Sequence, residues 1–386
     1  MSGFRANRDV AVVFVAKGAR TFCYGYLGIL LPLYLADLGL SAAGVGVFVT
    51  ATLAASAALT WAIRGLAEQF GARAALSALA ALSVVAATLL LVTREPWLVV
   101  LAAMLGNVAV GAGETGPFLS IEQVVLARAV EPAQRTGVLS LYNLLGYGAA
   151  AMGAATVALG TPRLLFAGFL AAALLQAGAY AALGRVTLVA RAPGAAPGST
   201  PVIRRIAALF ALDSFAGGFV LQSLIAYFLH VRFGLGLEAL GRAFFVAQLL
   251  TAASLLLAPR LARSFGLLPT MVLTHLISNV FLIGIAAAPT AAVAIALLYA
   301  RQLLSQIDVP TRQAWVMTIV PDHEREAAAT TTTLWRTAAQ AVTPLATGWI
   351  MQSIALSAPF VLGGALKIVY DVLLWKTFKD LKPHDG

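Results

Sequence analysis

The chain has 386 residues, and its 26 Lys and Arg plus 16 Asp and Glu make up 11% of it, whereas soluble domains carry roughly 25%. Hydrophobic residues make up 60% and the mean hydropathy is +0.89, which is more apolar sequence than soluble cores of this length bury. This composition favours an integral membrane protein. No polar segment is large enough to form a basic nucleic-acid-binding domain, so the net charge of +10 does not indicate a nucleic-acid partner.

Charges, prolines and glycines divide the sequence into apolar segments, each close to the ~20 residues that a helix needs to cross a bilayer. A transmembrane barrel would instead show alternating segments of ~10 residues, and none occur. The sequence therefore predicts an all-α integral membrane protein with twelve transmembrane helices. The predicted spans are 10–36, 43–66, 74–93, 97–127, 136–160, 163–184, 204–230, 239–259, 266–288, 290–318, 326–354 and 358–376.

Several kinds of site are absent from the sequence. The single cysteine, Cys23, excludes an intramolecular disulfide, a cysteine-rich zinc site and an iron–sulfur cluster. No glycine-rich phosphate loop occurs, so we do not expect ATP to drive the protein. No loop carries the clustered His or Asp residues of a metal or group-transfer site. We therefore expect no metal, no cofactor and no enzymatic activity.

The distribution of basic residues predicts the orientation. The first span follows Arg5 and Arg8 and has no small-residue cleavage site, so we interpret it as retained. With the N-terminus inside, 16 Lys and Arg fall on the cytoplasmic side and four on the other side. Because short cytoplasmic loops are enriched in Lys and Arg, we expect both termini in the cytoplasm and a bacterial-type inner (plasma) membrane.

A central polar break divides the chain in two. The run from Ala192 to Pro201 is rich in proline, glycine and small residues, a composition typical of linkers. We therefore predict an N-terminal six-helix bundle at 1–184, a cytoplasmic linker at 185–203, and a C-terminal six-helix bundle with a short cytoplasmic tail at 204–386.

The two halves are also weak copies of each other. Ala-Glu-Gln-Phe-Gly at 67–71 corresponds to Ala-Arg-Ser-Phe-Gly at 262–266, and Gln123 corresponds to Gln313 at an offset of 190. Transporters built from related bundles show such internal symmetry. The sequence therefore predicts two pseudo-symmetric bundles.

Twelve spans, a central linker and cytoplasmic ends resemble the major facilitator superfamily of secondary transporters over essentially the whole chain. The loop at 64–76 is similar to that family's short cytoplasmic motif: Glu68, Gly71 and Arg73 match it, whereas Gln69 and Ala72 replace residues that are usually basic. The resemblance implies alternating access, with a small-molecule solute bound between the bundles. We expect the protein to act as a monomer in membrane lipid.

Ionisable residues within spans are candidates for function, because a charge there costs at least ~2.5 kcal/mol and usually faces a wet cavity. Glu114 and Asp308 lie beside glycine or proline residues that interrupt helices, as transporter sites often do. A desolvated membrane carboxylate can carry a proton. We therefore predict proton coupling through Glu114 or Asp308.

Two pairs of repeat-equivalent positions carry opposite charges. Lys17 aligns with Asp213 at an offset of 196, and Glu122 aligns with Arg312 at 190. Spans 1, 4, 7 and 10 line the cavity in the resembling family, so we predict both pairs as gating ion pairs between the bundles. The alternatives are helix-end residues reaching the headgroups, for Glu122 and Arg312, and structural salt bridges, for Lys17 and Asp213.

The polar residues of the spans indicate the solute class. Basic candidates slightly outnumber acidic ones, which favours a small organic anion or zwitterion. The alternatives are a multidrug or lipophilic-cation efflux antiporter and a non-transporting membrane sensor. Arg336 and Lys367 are interpreted as packing residues, and His230 and His275 as core or loop residues. The residues predicted to line the cavity or bind the solute are Lys17, Arg20, Tyr24, Asn107, Asp213, Gln222 and Arg301.

Overall fold

The computed structural model describes residues 8–111, 116–184, 201–320 and 325–380, and this part of the chain is helical without any strand. A 3-10 turn at Val157–Leu159 extends the fifth helix. The helices of the first half are α1 Arg8–Asp37, α2 Ala42–Val92, α3 Pro96–Leu105, α4 Pro117–Ala129, α5 Pro132–Thr156 and α6 Pro162–Ala181. Those of the second half are α7 Pro201–Gly218, α8 Gln222–Phe233, α9 Leu237–Phe265, α10 Leu267–Ala286, α11 Ala291–Ser305, α12 Asp308–Ile319, α13 Arg325–Ser353 and α14 Ala358–Phe378.

The protein is an integral membrane protein. Within the described residues, nine helical stretches are long and apolar enough to cross a bilayer. One of the nine, α2, contains two predicted spans, whereas α3 with α4, and α13, are not among them. The count of twelve membrane spans stays a prediction.

Two glycines reverse the chain at equivalent places in the two halves. Gly71 interrupts α2 with φ 86° and ψ 168°, and Gly266 separates α9 from α10 with φ 86° and ψ 161°. This backbone region is accessible essentially to glycine alone. The predicted loop at 64–76 is thus helical on both sides of a break at Gly71. Glu68 accepts a hydrogen bond from Arg64 at 2.8 Å, and Arg73 is exposed.

The chain forms two compact units. The first comprises Met1–Leu40, Ala51–Arg191 and Gly236–Phe245, and the second comprises Ser41–Thr50, Ala192–Leu235 and Val246–Gly386. Most of the predicted linker lies outside the described residues, as α7 begins at Pro201, so the predicted domain boundaries stay predictions.

Each unit has its own core. In the first unit α1 packs against α4, α5 and α6; in the second, α7 packs against α13 and α14, and α10 packs against α11, α12 and α14. Apolar side chains fill both cores, with Tyr142 and Tyr180 in the first and Phe210 and Tyr370 in the second. These contacts bring the charged residues of different helices together inside each unit.

Candidate functional site

Arg20 and Glu122 form an ion pair inside the first unit. Their side chains are 1% and 0% exposed, and they lie on α1 and α4. Arg20 Nη2 donates to Glu122 Oε2 at 2.6 Å, and Nη1 donates to Oε1 at 3.2 Å. The guanidinium carbon also lies 4.4 Å from the centroid of the Phe118 ring. Because bidentate pairs are strong and directional, this contact ties α1 to α4.

Two tyrosines complete the hydrogen bonding of Glu122. The Tyr180 hydroxyl donates to Oε1 at 2.5 Å and the Tyr142 hydroxyl donates to Oε2 at 2.6 Å. Tyr180 also accepts from Arg20 Nη1 at 2.9 Å and from Gln176 Nε2 at 3.2 Å. With these bonds and those from Arg20, the carboxylate accepts four hydrogen bonds, about its full capacity. We name Arg20, Glu122, Tyr142 and Tyr180 the Glu122 cluster, and interpret it as a brace joining α1, α4, α5 and α6.

Lys17 lies beside this cluster, one turn before Arg20 on α1. It is 3% exposed, and its Nζ lies 4.3 Å from the centroid of the Tyr142 ring, which is a favourable cation–π distance. Gly146 makes room for it, because a Cβ there would lie 2.7 Å from Lys17 Cε. Lys17 therefore packs along α5.

Asp213 is the centre of a second buried cluster, inside the second unit. Lys367 Nζ donates to its Oδ1 at 2.5 Å, and Arg312 Nη1 donates to its Oδ2 at 3.2 Å. His275 Nε2 lies 3.5 Å from Oδ1. These nitrogens come from α14, α12 and α10, so the carboxylate on α7 is enclosed by three other helices.

Asp308 has a permanent cationic partner. Arg312, one turn later on α12, lies 3.0 Å from Asp308 Oδ2 and bridges it to Asp213. The Arg312 guanidinium carbon lies 5.3 Å from the centroid of the Phe210 ring. Because a guanidinium does not lose its proton in proteins, Arg312 is a permanent positive charge between Asp308 and Asp213.

His275 connects Asp213 to a third carboxylate, Asp371. His275 Nδ1 lies 2.8 Å from Asp371 Oδ1, and Asn279 Nδ2 donates to Asp371 Oδ2 at 3.1 Å. On the other side of the ring, Nε2 lies 3.5 Å from Lys367 Nζ. The six residues joined by these ion pairs are named the Asp213 cluster: Asp213, His275, Asp308, Arg312, Lys367 and Asp371.

Arg301 and Arg336 add positive charge to the second unit. Arg301 Nη1 donates to Gln302 Oε1 at 2.8 Å, while its buried Nε has no hydrogen-bond partner in the described part of the chain. Arg336 Nε donates to Ser214 Oγ at 3.0 Å. Among the described residues, neither arginine lies within 4.0 Å of a carboxylate oxygen. Both are therefore available to an anion.

The carboxylates of the Asp213 cluster are already neutralised by side chains. Asp213, His275 and Asp308 present atoms within 4.8 Å of one another, close enough for metal coordination. However, Lys367 and Arg312 lie against the same oxygens at 2.5 to 3.2 Å. Because two cationic groups fill the positions that a metal ion would take, we assign no metal to this cluster.

Three uncharged candidates have mostly structural contacts. The Tyr24 hydroxyl donates to the Gly106 carbonyl at 2.9 Å, which ties α1 to the helix break after α3. Gln222 accepts from Gln248 Nε2 at 2.8 Å. Asn107, in that same break, has φ 49° and a buried Oδ1 without a hydrogen-bond partner among the described residues. Of the three, Asn107 has the clearest free capacity for a solute hydrogen bond.

A cleft of about 600 Å³ lies at the ends of α1, α2 and α6, lined by Tyr34, Arg94 and Arg163 among others. Both arginines are exposed. No residue of the Glu122 cluster lines this cleft, so we assign it no part in the site.

The solved structures that this chain resembles are transporters. It aligns with a variant of the nucleoside transporter NupG over 96% of this chain and 100% of that one, with a TM-score of 0.79 and 11% identity. With the inward-open xylose transporter XylE from E. coli the coverage is 98% of both chains, the TM-score 0.74 and the identity 13%. With the human organic anion transporter MFSD10 the alignment covers 95% of this chain and 99% of that one, with a TM-score of 0.66 and 16% identity. The chain has the major facilitator fold.

Sequence comparison adds one membrane protein to these major facilitator structures. The chain is 22% identical over 420 residues to the uncharacterized membrane protein YJR124C of Saccharomyces cerevisiae, covering 96% of this chain and 94% of that protein. No protein-family model matches the chain. The named structural neighbours are transporters and not enzymes, in agreement with the sequence-based expectation.

Within the major facilitator fold, the predicted gating residues have partners different from those predicted. Glu122 pairs with Arg20, Arg312 pairs with Asp213 and Asp308, and Asp213 also pairs with Lys367. The physical reason is that equivalent positions in a repeat indicate a similar depth in the membrane, whereas each charged side chain pairs with the nearest opposite charge. Exchange of partners between the two halves stays a prediction.

Several members of the two clusters were not predicted as site residues. His275 and Lys367, interpreted as core or packing residues, belong to the Asp213 cluster. The sequence does contain signals for two others: Asp371 follows Lys367 by four residues, one helical turn, and Tyr180 is related to Tyr370 by the same offset of 190 as Glu122 to Arg312. The proton-coupling candidate Glu114 lies outside the described residues.

Proposed function

We propose that this protein is a secondary active transporter of a small solute that works by alternating access, with the solute bound between two six-helix bundles. The likeness to nucleoside, xylose and organic anion transporters supports the transport function. Each half also holds a buried cluster of charged residues on its apolar helices.

The Asp213 cluster carries this proposal. Six ionisable side chains on α7, α10, α12 and α14 are buried together in an apolar helical unit. Burying charges is costly, and an apolar core of similar volume is often as stable or more stable. Charges kept within membrane helices are typical of solute and ion pathways. We therefore assign the cluster to transport rather than to stability alone.

The solute is a small organic anion or zwitterion. Arg301 and Arg336 have no carboxylate partner among the described residues, so a solute carboxylate or phosphate is the complementary group. Arg301 retains an unpaired buried Nε, which donates a hydrogen bond to such an anion without breaking an existing contact. Lys17 and Asn107 are further candidates for solute contact.

The transporter is driven by a proton gradient, with Glu114 and Asp308 as the sequence-based candidates for the coupling group. It lies in a bacterial-type inner (plasma) membrane with both termini in the cytoplasm, in accord with the 16 basic residues on the predicted cytoplasmic side. It functions as a monomer surrounded by lipid.

The test is uptake into liposomes that contain the purified protein. The probes are radiolabelled succinate, glutamate, dialanine, uridine, D-xylose and the lipophilic cation tetraphenylphosphonium, each with an inward proton gradient, with an outward one and with none. Protein-free liposomes are the control. We expect gradient-stimulated uptake of succinate or glutamate that depends on the protein.

The alternatives give different results in the same assay. Proton-gradient-driven movement of tetraphenylphosphonium alone would replace the proposed solute class with lipophilic-cation efflux. No protein-dependent flux of any probe, in either direction of the gradient, would contradict transport of these solute classes and favour a membrane sensor on the same fold.

A further inference from the structure

We propose that His275 is the group that binds and releases the coupled proton, with Asp371 as its positioning residue. This inference rests on the proposed transport function and names its proton site. The sequence-based candidates for this role were Glu114 and Asp308, whereas His275 lies on α10 and Asp371 on α14. Both residues are buried, with side chains 5% and 1% exposed.

The contacts of the ring assign its hydrogens. Nδ1 lies 2.8 Å from Asp371 Oδ1; with Asp371 ionised, this oxygen only accepts hydrogen bonds and Nδ1 carries the hydrogen. Nε2 lies 3.5 Å from both Lys367 Nζ and Asp213 Oδ1. In the neutral ring Nε2 has a lone pair, so this nitrogen takes up the proton.

Within the six residues of the Asp213 cluster, which do not include Arg301 and Arg336, three carboxylates face two permanent cations and His275. The three carboxylates carry three negative charges, and Arg312 and Lys367 carry two positive charges. A protonated His275 supplies the third positive charge. Histidine is a common proton carrier in proteins, and the further positive charge of Arg301 and Arg336, which interact with Asp213 and Asp308, is offset by a bound anion when His275 is protonated.

Two of the three carboxylates have permanent cations at ion-pair distance. Asp308 has Arg312 at 3.0 Å, and Asp213 has Lys367 and Arg312 at 2.5 and 3.2 Å. Asp371 differs, because its partners among the described residues are His275 and the neutral Asn279. Its charge is therefore compensated by His275 at hydrogen-bond distance and by Lys367 at longer range.

Two arginines link the proton to the solute. Arg301 on α11 and Arg336 on α13 interact electrostatically with Asp213, the carboxylate 3.5 Å from His275 Nε2, so their positive charge opposes protonation of the ring. Tyr370 on α14 faces the ring edge-on, with the ring centroids 5.7 Å apart. An anion bound to these arginines cancels that repulsion and so favours proton binding. By linkage, a proton on His275 favours anion binding to the same extent.

The transport step moves one proton without any other change of bonding. On one side of the membrane, a proton from water bonds to His275 Nε2, and the ring charge rises from 0 to +1 while Nδ1–H stays with Asp371. On the other side, the Nε2–H bond breaks and the proton returns to water. Bound together, one proton and a solute of charge −1, such as glutamate, add no net charge to the protein.

Liposomes containing wild-type protein, His275→Gln or the control His230→Gln test the coupling with succinate and glutamate. His230 lies at the end of α8, where Nδ1 contacts the Leu235 carbonyl. The readout is the ratio of pH-gradient-driven accumulation to counterflow. A gradient of one pH unit supports about tenfold accumulation per coupled proton, so we expect the ratio to fall about tenfold in His275→Gln and to be maintained in His230→Gln. Asp371→Asn is expected to lower the ratio as well.

A solute-independent measurement separates this inference from the proposed function. Nitrogen-15 NMR of histidine-labelled wild-type protein in lipid nanodiscs reports ring protonation, with the His275 signal assigned by its loss in His275→Gln. We expect a second ring N–H to appear on His275 as the pH falls from about 8 to 5. If His275→Gln is misfolded by gel filtration, Asp371→Asn provides both the assignment and the transport ratio.

The outcomes are distinct. A wild-type ratio in His275→Gln, or a His275 ring that never gains a proton in this range, overturns the proton assignment while transport by the wild-type protein stands. Protonation of His275 without flux of any probe contradicts the proposed function instead.

Discussion

Tyr180 and Tyr370 occupy repeat-equivalent positions, 190 residues apart, but their hydroxyl groups have opposite surroundings. Tyr180 donates to Glu122 at 2.5 Å and accepts from Arg20. The Tyr370 hydroxyl is buried and has no hydrogen-bond partner among the described residues. The difference follows from the substitution at the matching position, where the first half has Glu122 and the second half has Arg312.

This contrast predicts different costs for removing the two hydroxyl groups. Tyr180→Phe leaves Glu122 with one hydrogen bond fewer, and removing one partner of a buried charged group costs about 1–3 kcal/mol. Tyr370→Phe removes a hydroxyl that has no hydrogen bond within 3.5 Å among the described residues and interacts with Arg312 at longer range, so it is expected to cost less than Tyr180→Phe. Thermal unfolding of both variants in the same detergent measures the difference. Equal destabilisation by the two changes would contradict the assigned hydrogen bonds.

The partner of Glu122 can be tested by charge exchange. If Glu122 is the structural ion-pair partner of Arg20, then Arg20→Met leaves a buried carboxylate without its cation and destabilises the protein by about 3–5 kcal/mol. Adding Glu122→Gln to this variant is then expected to restore part of the lost stability. If Glu122 serves Arg312 in transport, Glu122→Arg with Arg312→Glu restores uptake that either single change abolishes.

Stability and uptake measured on both pairs distinguish these roles. We expect the changes at Arg20 and Glu122 to be non-additive in the free energy of unfolding. The changes at Glu122 and Arg312 are expected to be additive. Recovery of uptake by the second pair would establish the predicted exchange between the halves.

The helical segments and the burial of charges were predictable, because apolar length and the scarcity of charged residues are local properties of the sequence. The ion-pair partners of these buried charges were not predictable. Lys17 and Arg20 are three residues apart on one face of α1, so from the sequence either could be the ion-pair partner of a carboxylate. The bidentate contact of Arg20 with Glu122 became evident only from the packing of α1 against α4.

His275 shows a further limit of sequence reasoning. A lone histidine in an apolar span has no local sign of function, and its partners Asp213 and Asp371 are 62 and 96 residues away in the sequence. The repeat gives the opposite example. The stretches 67–71 and 262–266 predicted internal symmetry from the sequence alone, and their glycines, Gly71 and Gly266, share one backbone conformation.

These two glycines predict a strain effect. Gly266→Ala places a side chain at φ 86° and ψ 161°, a conformation that costs non-glycine residues about 1–3 kcal/mol, and Gly71→Ala is expected to behave alike. Gly137→Ala is the control, because it lies in α5 with open space around its Cα and alanine favours helix by about 0.5–1 kcal/mol. Thermal unfolding should show a loss for the first two and a small gain for the control.

The orientation is testable because the chain has a single, buried cysteine, Cys23. In a Cys23→Ala background, a cysteine is introduced at Glu95 or at Ser264, which are both exposed. We expect a membrane-impermeant maleimide to label Glu95→Cys on intact cells, and Ser264→Cys only after permeabilisation. The opposite labelling would reverse the topology predicted from the basic residues.

Arg301 provides the sharpest test of the solute class. Its buried Nε lacks a partner among the described residues, so we expect it to bind the solute anion directly. A hydrogen bond to a charged group contributes about 1.5–3 kcal/mol, so Arg301→Gln should raise the KM for succinate or glutamate by about 10- to 100-fold.

Arg301→Lys keeps the charge but loses the planar donor pair, so an intermediate KM is expected. The control is Arg242→Gln, at an exposed ion pair with Glu238, which should leave the KM unchanged because exposed pairs contribute little. A lower maximal rate with an unchanged KM in Arg301→Gln would indicate that Arg301 acts in the conformational change. A raised KM for uridine or D-xylose, with succinate and glutamate unaffected, would assign a neutral solute to the site. The KM values of the Arg301 variants thus indicate whether the transported molecule carries a negative charge that binds to this guanidinium.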